Sequence, residues 1–315
     1  MTITKIIARP RPLTFLLALT GFFAQAVTAQ QLDTSVTIER FPVGSYPVAL
    51  GFDGENVWVT SSFDNTVTKL RASDGANLGT FNLGGASYGV AFDGTNLWFT
   101  NGLTDTVTEL RPSDGAILGN FPVGQNPYDC IFDGTSIWVS NSLDGTLTKL
   151  RPSDGTNLGT FSLGDDVFRL ASDGANVWAV DQRDQLVFKV RASDGMIRGR
   201  FKTDDTPYAI MFDGSHIWIS NYYTYTLTEL RPGDGTVLGT FPSGRSNPSD
   251  LAFDGSDVWV ASGTSAVTRL SVDGSGAHKS YLITGLPTRL LFDGSAIWAA
   301  CFNSADVAKI SRSQP

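Results

Sequence analysis

The sequence predicts an all-β fold: a seven-bladed β-propeller of four-stranded antiparallel blades. Three observations carry this. One text recurs about every forty residues, as "FDGENVWVTSSFDNTVTKLRASDGANLGTFNLG" from Phe52, "FDGTNLWFTNGLTDTVTELRPSDGAILGNFPVG" from Phe92 and "FDGTSIWVSNSLDGTLTKLRPSDGTNLGTFSLG" from Phe132. All seven Trp residues fall one to a unit, at Trp58, Trp98, Trp138, Trp178, Trp218, Trp259 and Trp298. The units are rich in Val, Thr, Ile and Phe, are punctuated by Asp-Gly turns, and show no helical periodicity.

The first 29 residues read as a secretory signal. Lys5, Arg9 and Arg11 make a basic start, "LTFLLALTGFFAQAV" from Leu13 to Val27 is a short apolar core, and Val27-Thr28-Ala29 suits cleavage after Ala29. No later apolar run approaches the length of a membrane span. The expectation is a single domain from Gln30 to Pro315, exported to the periplasm or beyond the cell, monomeric and not inserted in a membrane. The formal charge is −8 and becomes more acidic once the basic start is removed. Such a surface repels nucleic acid.

"TSVTIERFPVG", Thr34 to Gly44, matches the end of a repeat unit but has nothing before it to pair with. Blade 2 shows a complete unit. Strand a is Tyr88 to Phe92, then the Asp93-Gly94 turn, strand b from Asn96 to Asn101, and strand c from Thr106 to Arg111. The Pro112-Ser113-Asp114-Gly115 turn leads into strand d, Ala116 to Val123. The last unit, "PTRLLFDGSAIWAACFNSADVAKIS", supplies strands a, b and c but no d. The N-terminal strand is therefore expected to complete blade 7 and close the ring, which removes an exposed sheet edge.

Residues repeated in every blade serve the scaffold. Each Trp lies between apolar neighbours, as in Val57-Trp58-Val59. Stacked blades need large buried side chains, so core packing is favoured over a ring of sugar platforms. Thirteen Asp-Gly pairs occupy the hairpin positions. One Asp beside one Gly is turn chemistry and falls short of a calcium loop. Arg71, Arg111, Arg151, Arg191 and Arg231 end strand c, where pairing with the nearby turn Asp is the simpler account over an anion-binding ring. Cys130 and Cys301 fall in blades 3 and 7, which are not adjacent, so two separate thiols are expected.

Departures from the repeat concentrate on the face that carries the d–a and b–c loops, where change is tolerated. Aligned on the Phe of strand a, the residue three before it reads Ala49, Gly89, Asp129, Arg169, Ala209, Asp250 and Arg289. This ring is expected at the mouth of the central channel, with Asp–Arg couples in blades 3–4 and 6–7. It is either a polar ligand site or a pair of ion pairs plugging a wet channel, the plug being slightly favoured. Blade 4 departs most, with Ser172 in place of the Phe and "DQRDQ", Asp181 to Gln185, as its b–c loop. Tyr222, Tyr223 and Tyr225 follow in blade 5. Asp181, Arg183, Tyr222 and Tyr223 are the candidate contact residues of this loop face, since Arg and Tyr dominate binding hot spots; neutral drift is the competing account. In the d–a loops, Asp165, Asp166, Asp204, Asp205 and Arg245 add a cluster acidic enough to attract an adventitious divalent cation.

The repeat "FDGTNLWFTNGLTDTVTEL", with the matching stretch "PVALGFDGENVWVTSSFDNTVTKLRASDG" of blade 1, resembles the YVTN-type β-propeller repeat, which lies near the NHL and streptogramin-lyase propellers. The likeness covers nearly all of the chain after the signal and implies the fold; propellers of this kind serve as binding proteins, enzymes and surface proteins. A streptogramin-lyase kinship would imply a His base, an acidic partner and a metal on the loop face. His216 and His278 both fall on the hairpin face, and Glu39, Glu55, Glu109 and Glu229 lie outside the d–a and b–c loops. That catalytic pattern does not carry over, and no cofactor or metal site is expected. With few general bases in reach, the sequence favours an exported binding protein that holds a protein, glycan or small ligand at Asp129, Arg169, Asp250, Arg289 or the loop residues. A lyase or lactonase-type hydrolase at the channel mouth and a structural envelope protein are the alternatives.

Overall fold

The computed structural model describes residues 36–204, 206–272 and 278–312. The expected signal segment, residues 1–29, lies outside the described residues, as does Asp205. The described chain forms seven four-stranded antiparallel sheets. Their inner strands, strand a of blades 1 to 7, are Pro47–Phe52, Val90–Phe92, Pro127–Phe132, Val167–Ser172, Pro207–Phe212, Pro248–Phe253 and Pro287–Phe292. Six blades use four consecutive strands. The seventh takes strands a to c from Pro287–Phe292, Ala296–Cys301 and Asp306–Arg312, and its outer strand from Val36–Pro42. That outer strand pairs in register from Val36 opposite Arg312 to Pro42 opposite Asp306. The seam is fastened by Arg40, whose Nε and Nη2 donate to the two carboxylate oxygens of Asp306 at 2.7 and 2.6 Å.

Strand a of blade 2 begins at Val90, two residues later than the sequence suggests. The N–H groups of Tyr88 and Gly89 are taken by the Thr100 hydroxyl rather than by a ladder partner.

The repeated residues interlock. In every blade the Asp of the a–b turn accepts the indole N–H of the Trp five residues on, at 2.7–2.8 Å. Its other oxygen accepts backbone N–H groups of the turn, as Asp173 does from Ala175 and Asn176. This acid therefore does more than turn the chain: it satisfies the one polar atom of a buried Trp, which would otherwise carry a desolvation cost. All seven Trp are buried. Each packs on the next blade, as Trp58 does on Leu97, Phe99 and Leu110, and Trp298 on Val57, Val59 and Leu70 across the seam.

Two further contacts tie neighbouring blades. Lys69, Lys149, Lys189 and Lys309 lie over the Trp rings of their own blades, 5.2–5.4 Å from the centroids. Each donates to a backbone carbonyl in the following blade, such as Pro112 O from Lys69 at 2.9 Å. The Gly of the c–d turn supplies a positive φ and leaves room for the Phe of the blade before it. Gly115, at φ +72°, sits on the ring of Phe81, where any Cβ would collide. The five strand-c Arg residues pair with their turn Asp residues, as expected, on the exposed hairpin side. Cys130 and Cys301 are buried free thiols.

Candidate functional site

The inner strands lead each blade onto the central channel, and every blade contributes to a cavity of about 300 Å³ at its mouth. Blades 2 to 5 supply one wall, from Tyr88, Tyr128, Arg169, Tyr208 and Tyr222. Blades 6, 7 and 1 supply a small-residue wall that includes Ser249, Thr288 and Val48, with Phe302 beside them. The b–c loop residues Tyr222, Gly263 and Phe302 line the cavity, so it opens on the face of variable loops.

Its aromatic wall comes from a position that the sequence reading passed over. The residue four before the end of strand a reads Val48, Tyr88, Tyr128, Phe168, Tyr208, Ser249 and Thr288 around the ring. Four consecutive blades carry an aromatic there, and this run was the available signal. The rings pack on one another: Tyr88 on Tyr128 at 5.5 Å between centroids, Tyr128 on Phe168 at 3.7 Å, and Phe168 against Tyr208 edge-on at 5.2 Å. Tyr222 extends the row by stacking on Tyr208 at 5.1 Å, and Tyr223 meets Tyr222 at right angles.

Beneath this wall lie the four charged residues of the inner ring. Asp129, Arg169 and Asp250 are buried, and Arg289 nearly so. Of the neighbour couples expected, Asp250–Arg289 of blades 6–7 is an ion pair, and Asp129–Arg169 of blades 3–4 makes no hydrogen bond. Arg289 of blade 7 crosses the channel to Asp129 of blade 3, with Nη2 2.8 Å from Oδ1, and stands 3.7 Å from Asp250 in blade 6. Asp129 and Asp250 each turn their second oxygen to a backbone N–H of the following blade, those of Leu170 at 3.1 Å and Leu290 at 2.7 Å. Among the hydrogen bonds of the described residues, none joins Arg169 to either acid. The 3–4 couple is replaced because Leu170 N–H and the arriving Arg289 occupy both oxygens of Asp129.

Arg169 is left in an unusual position. It is 4% exposed, its Nε and Nη1 have no hydrogen-bond acceptor, and its guanidinium lies 5.2 Å from the Tyr128 ring centroid and 5.6 Å from that of Phe168. Burial opposes its charge, yet the fields of Tyr128, Asp250, Asp129 and Tyr208 raise its pKa above the ordinary arginine value. Burial also pushes the acids up, Asp129 to about 6 and Asp250 to about 7, against the pull of Arg169 and of the backbone N–H groups. Tyr128 and Tyr208 are raised by burial as well. Two acids and two arginines thus share a buried layer. Among the described residues that line the cavity above it, Arg169 is the only charged one.

The loop residues separate into three kinds. Tyr222 belongs to the cavity wall. Tyr223 and Arg183 are exposed, and Arg183 stands 3.6 Å from Asp165. Asp181 is wholly buried: one oxygen accepts the N–H groups of Asp165 and Asp166, and the other that of Asp184. It holds the d–a and b–c loops together and is not offered at the surface. His216 lies by the a–b turn of blade 5, its Nδ1 3.0 Å from Glu229. Among the described residues, no three His, Cys, Asp or Glu side chains converge as a metal site requires.

No family model matches the chain, and no curated protein matches it. Many solved structures share its fold. A structure titled streptogramin B lyase aligns with a TM-score of 0.74 at 15% identity, over 88% of this chain and 97% of that one. Hydrazine synthase of Kuenenia stuttgartiensis aligns with a TM-score of 0.74 at 17% identity, over 85% and 95%. The structure of U3-55K aligns with a TM-score of 0.76 at 13% identity, over 89% and 99%. At these identities the likeness concerns architecture, and architecture is what it establishes: the chain is a seven-bladed β-propeller.

Proposed function

We propose that this protein is an exported β-propeller binding protein, of the YVTN-like kind, that holds a small ligand in the mouth of its central channel. One observation carries the reading: a cavity of about 300 Å³, built by all seven blades, has a continuous aromatic wall and a single charge. Concave, mainly apolar sites with few polar groups are the usual form of small-molecule pockets. Export is inferred from the signal-like first 29 residues. Cell fractionation of the full chain, against one lacking them, tests it.

The lyase or hydrolase reading has one specific support. Burial raises the pKa of Asp129 to about 6 and of Asp250 to about 7, toward the range that suits a general base. Neither lines the cavity, and both are bound to backbone N–H groups. A substrate in the cavity would meet Arg169 and tyrosine hydroxyls first, so binding is the better account.

The test is a thermal-shift screen of the chain from Gln30 against metals, sugars, lactones, cell-wall fragments and aromatic acids. A Val48→Trp variant, which fills the cavity from its small-residue side, is screened alongside. The expected result is a compound that raises the wild-type Tm and leaves that of the variant unchanged. Stabilisation equal in both proteins would place binding elsewhere and overturn the reading.

A further inference from the structure

The cavity's chemistry narrows its ligand, on the reading just given. We propose that the channel mouth selects a flat aromatic carboxylate, with Arg169 as the partner of its anionic group. Three observations converge.

First, Arg169 is more than nine-tenths buried, lines the cavity, and has two guanidinium nitrogens without an acceptor. A buried cation normally engages its counter-ions directly, because unmade hydrogen bonds to charged groups are costly. Here Asp129 has given its oxygens to Arg289 and the Leu170 N–H, while Asp250 gives one to the Leu290 N–H and turns the other toward Arg289 at 3.7 Å. The charge is compensated at a distance and the donors are not. Each edge of the guanidinium that can hold a planar two-oxygen anion, Nε with Nη2 or Nη1 with Nη2, includes one of these unpartnered nitrogens.

Second, among the described residues no carboxylate or histidine lines the cavity with Arg169. A cationic ligand would face that charge with no acid beside it, and a neutral one would leave its donors unmet.

Third, the wall is aromatic, and Tyr88, Tyr128 and Phe168 use ring faces in stacking on one another. A sugar would need a free face to lie on. Ring edges carry partial positive charge and attract the π-face of another ring, which favours an aromatic body edge-to-face with the wall.

The experiment uses 2-naphthoate, its amide and 2-naphthylmethylamine as probes in isothermal titration calorimetry. They are titrated into wild type, Arg169→Met and Thr288→Trp. In wild type the acid is expected to bind at least about tenfold tighter than the amide, and the amine not measurably, a gap worth about 1.4 kcal/mol. Arg169→Met should erase the preference for the acid while keeping weak binding of the amide. Thr288→Trp should abolish both. Equal binding of acid and amide by wild type, lost in Thr288→Trp, would overturn the anion preference and leave the pocket standing. Acid binding that survives Thr288→Trp would overturn both. Failure of the acid to bind wild type would overturn the ligand class, and the broader screen would still judge the pocket. The wild-type comparison decides the matter even if Arg169→Met does not fold.

Discussion

Arg289 and Asp129 stand 160 residues apart in the chain and meet across the central channel, guanidinium nitrogen to carboxylate oxygen at 2.8 Å. The bond spans the ring from blade 7 to blade 3, and it leaves Asp250 with only the more distant edge of the same guanidinium, at 3.7 Å. Of the two acids, Asp250 is therefore the less well paired; burial chiefly, with the nearby charge of Asp129, raises its pKa to about 7.

That inequality predicts a pH dependence. An unfolded Asp titrates near 3.9, so between about pH 4 and 7 the folded protein holds more protons at Asp250 than the unfolded chain does. Stability from this group is complete below about pH 4 and is lost as pH rises through about 7. Thermal melts of wild type should show a higher Tm at pH 5 than at pH 8. Asp250→Asn, which keeps an oxygen for Leu290 N–H, should show a smaller fall over the same range. An identical fall in both would mean that Asp250 ionises freely in the folded state.

The turn acids Asp53, Asp173, Asp254 and Asp293 have the opposite sign. Burial works against the charge of Asp173, but the Trp178 indole and the Asn176 and Ala175 donors more than offset it, holding the acid below the usual range. Stability from this group is present above about pH 4 and is lost as pH falls further. Asp173→Asn should cost about 2 kcal/mol at neutral pH, because an amide that still accepts the turn N–H groups turns its own N–H toward the Trp178 donor. Urea denaturation measures this directly. A cost under about 0.5 kcal/mol would reduce the bond to an ordinary surface contact.

Turn glycines should divide by their surroundings. Gly94 and Gly115 both have positive φ, yet a Cβ on Gly94 meets open space, and one on Gly115 meets the Phe81 ring. Gly94→Ala should cost about 1–2 kcal/mol from backbone conformation alone. Gly115→Ala should cost roughly 1–3 kcal/mol more, since Phe81 must leave its place against Trp58. Equal costs in paired denaturation curves would show that the interblade contact yields freely.

The repeat makes the ring legible because a blade cannot bury its faces alone. The period, the Trp series and the orphan strand at Thr34 imply stacking, packing and closure directly. The Asp–Trp bonds are legible too, in the constant five-residue spacing from Asp53 to Trp58 onward, but turn chemistry alone is a sufficient reason for the Asp, so the spacing draws no notice. The site is harder to read. Aligning the units places Asp129, Arg169, Asp250 and Arg289 in one ring, but which of them bond depends on reach across the axis, and blade-to-blade order does not encode that. The aromatic wall lies one register position away from that charged ring. Asp181 reads as a surface charge because the loop after it is polar, yet it ends strand b of blade 4, a position buried in the other blades too, as at Asn101, Asn141 and Asn221.

At the seam between Val36–Pro42 and Asp306–Arg312, the linear order of the chain and the rotational symmetry of the fold part company. Pairings within blades 1 to 6 join neighbouring strands, whereas this one must join strands separated by nearly the whole described sequence, and distant pairings form late in folding. Until it forms, the other blades are a stack with two open ends, and the cavity they share has no complete rim. The last pairing therefore acts as a latch that turns a linear array into a vessel. Any route by which the chain reaches its place before folding would deliver the wall residues first and the complete cavity only at the end.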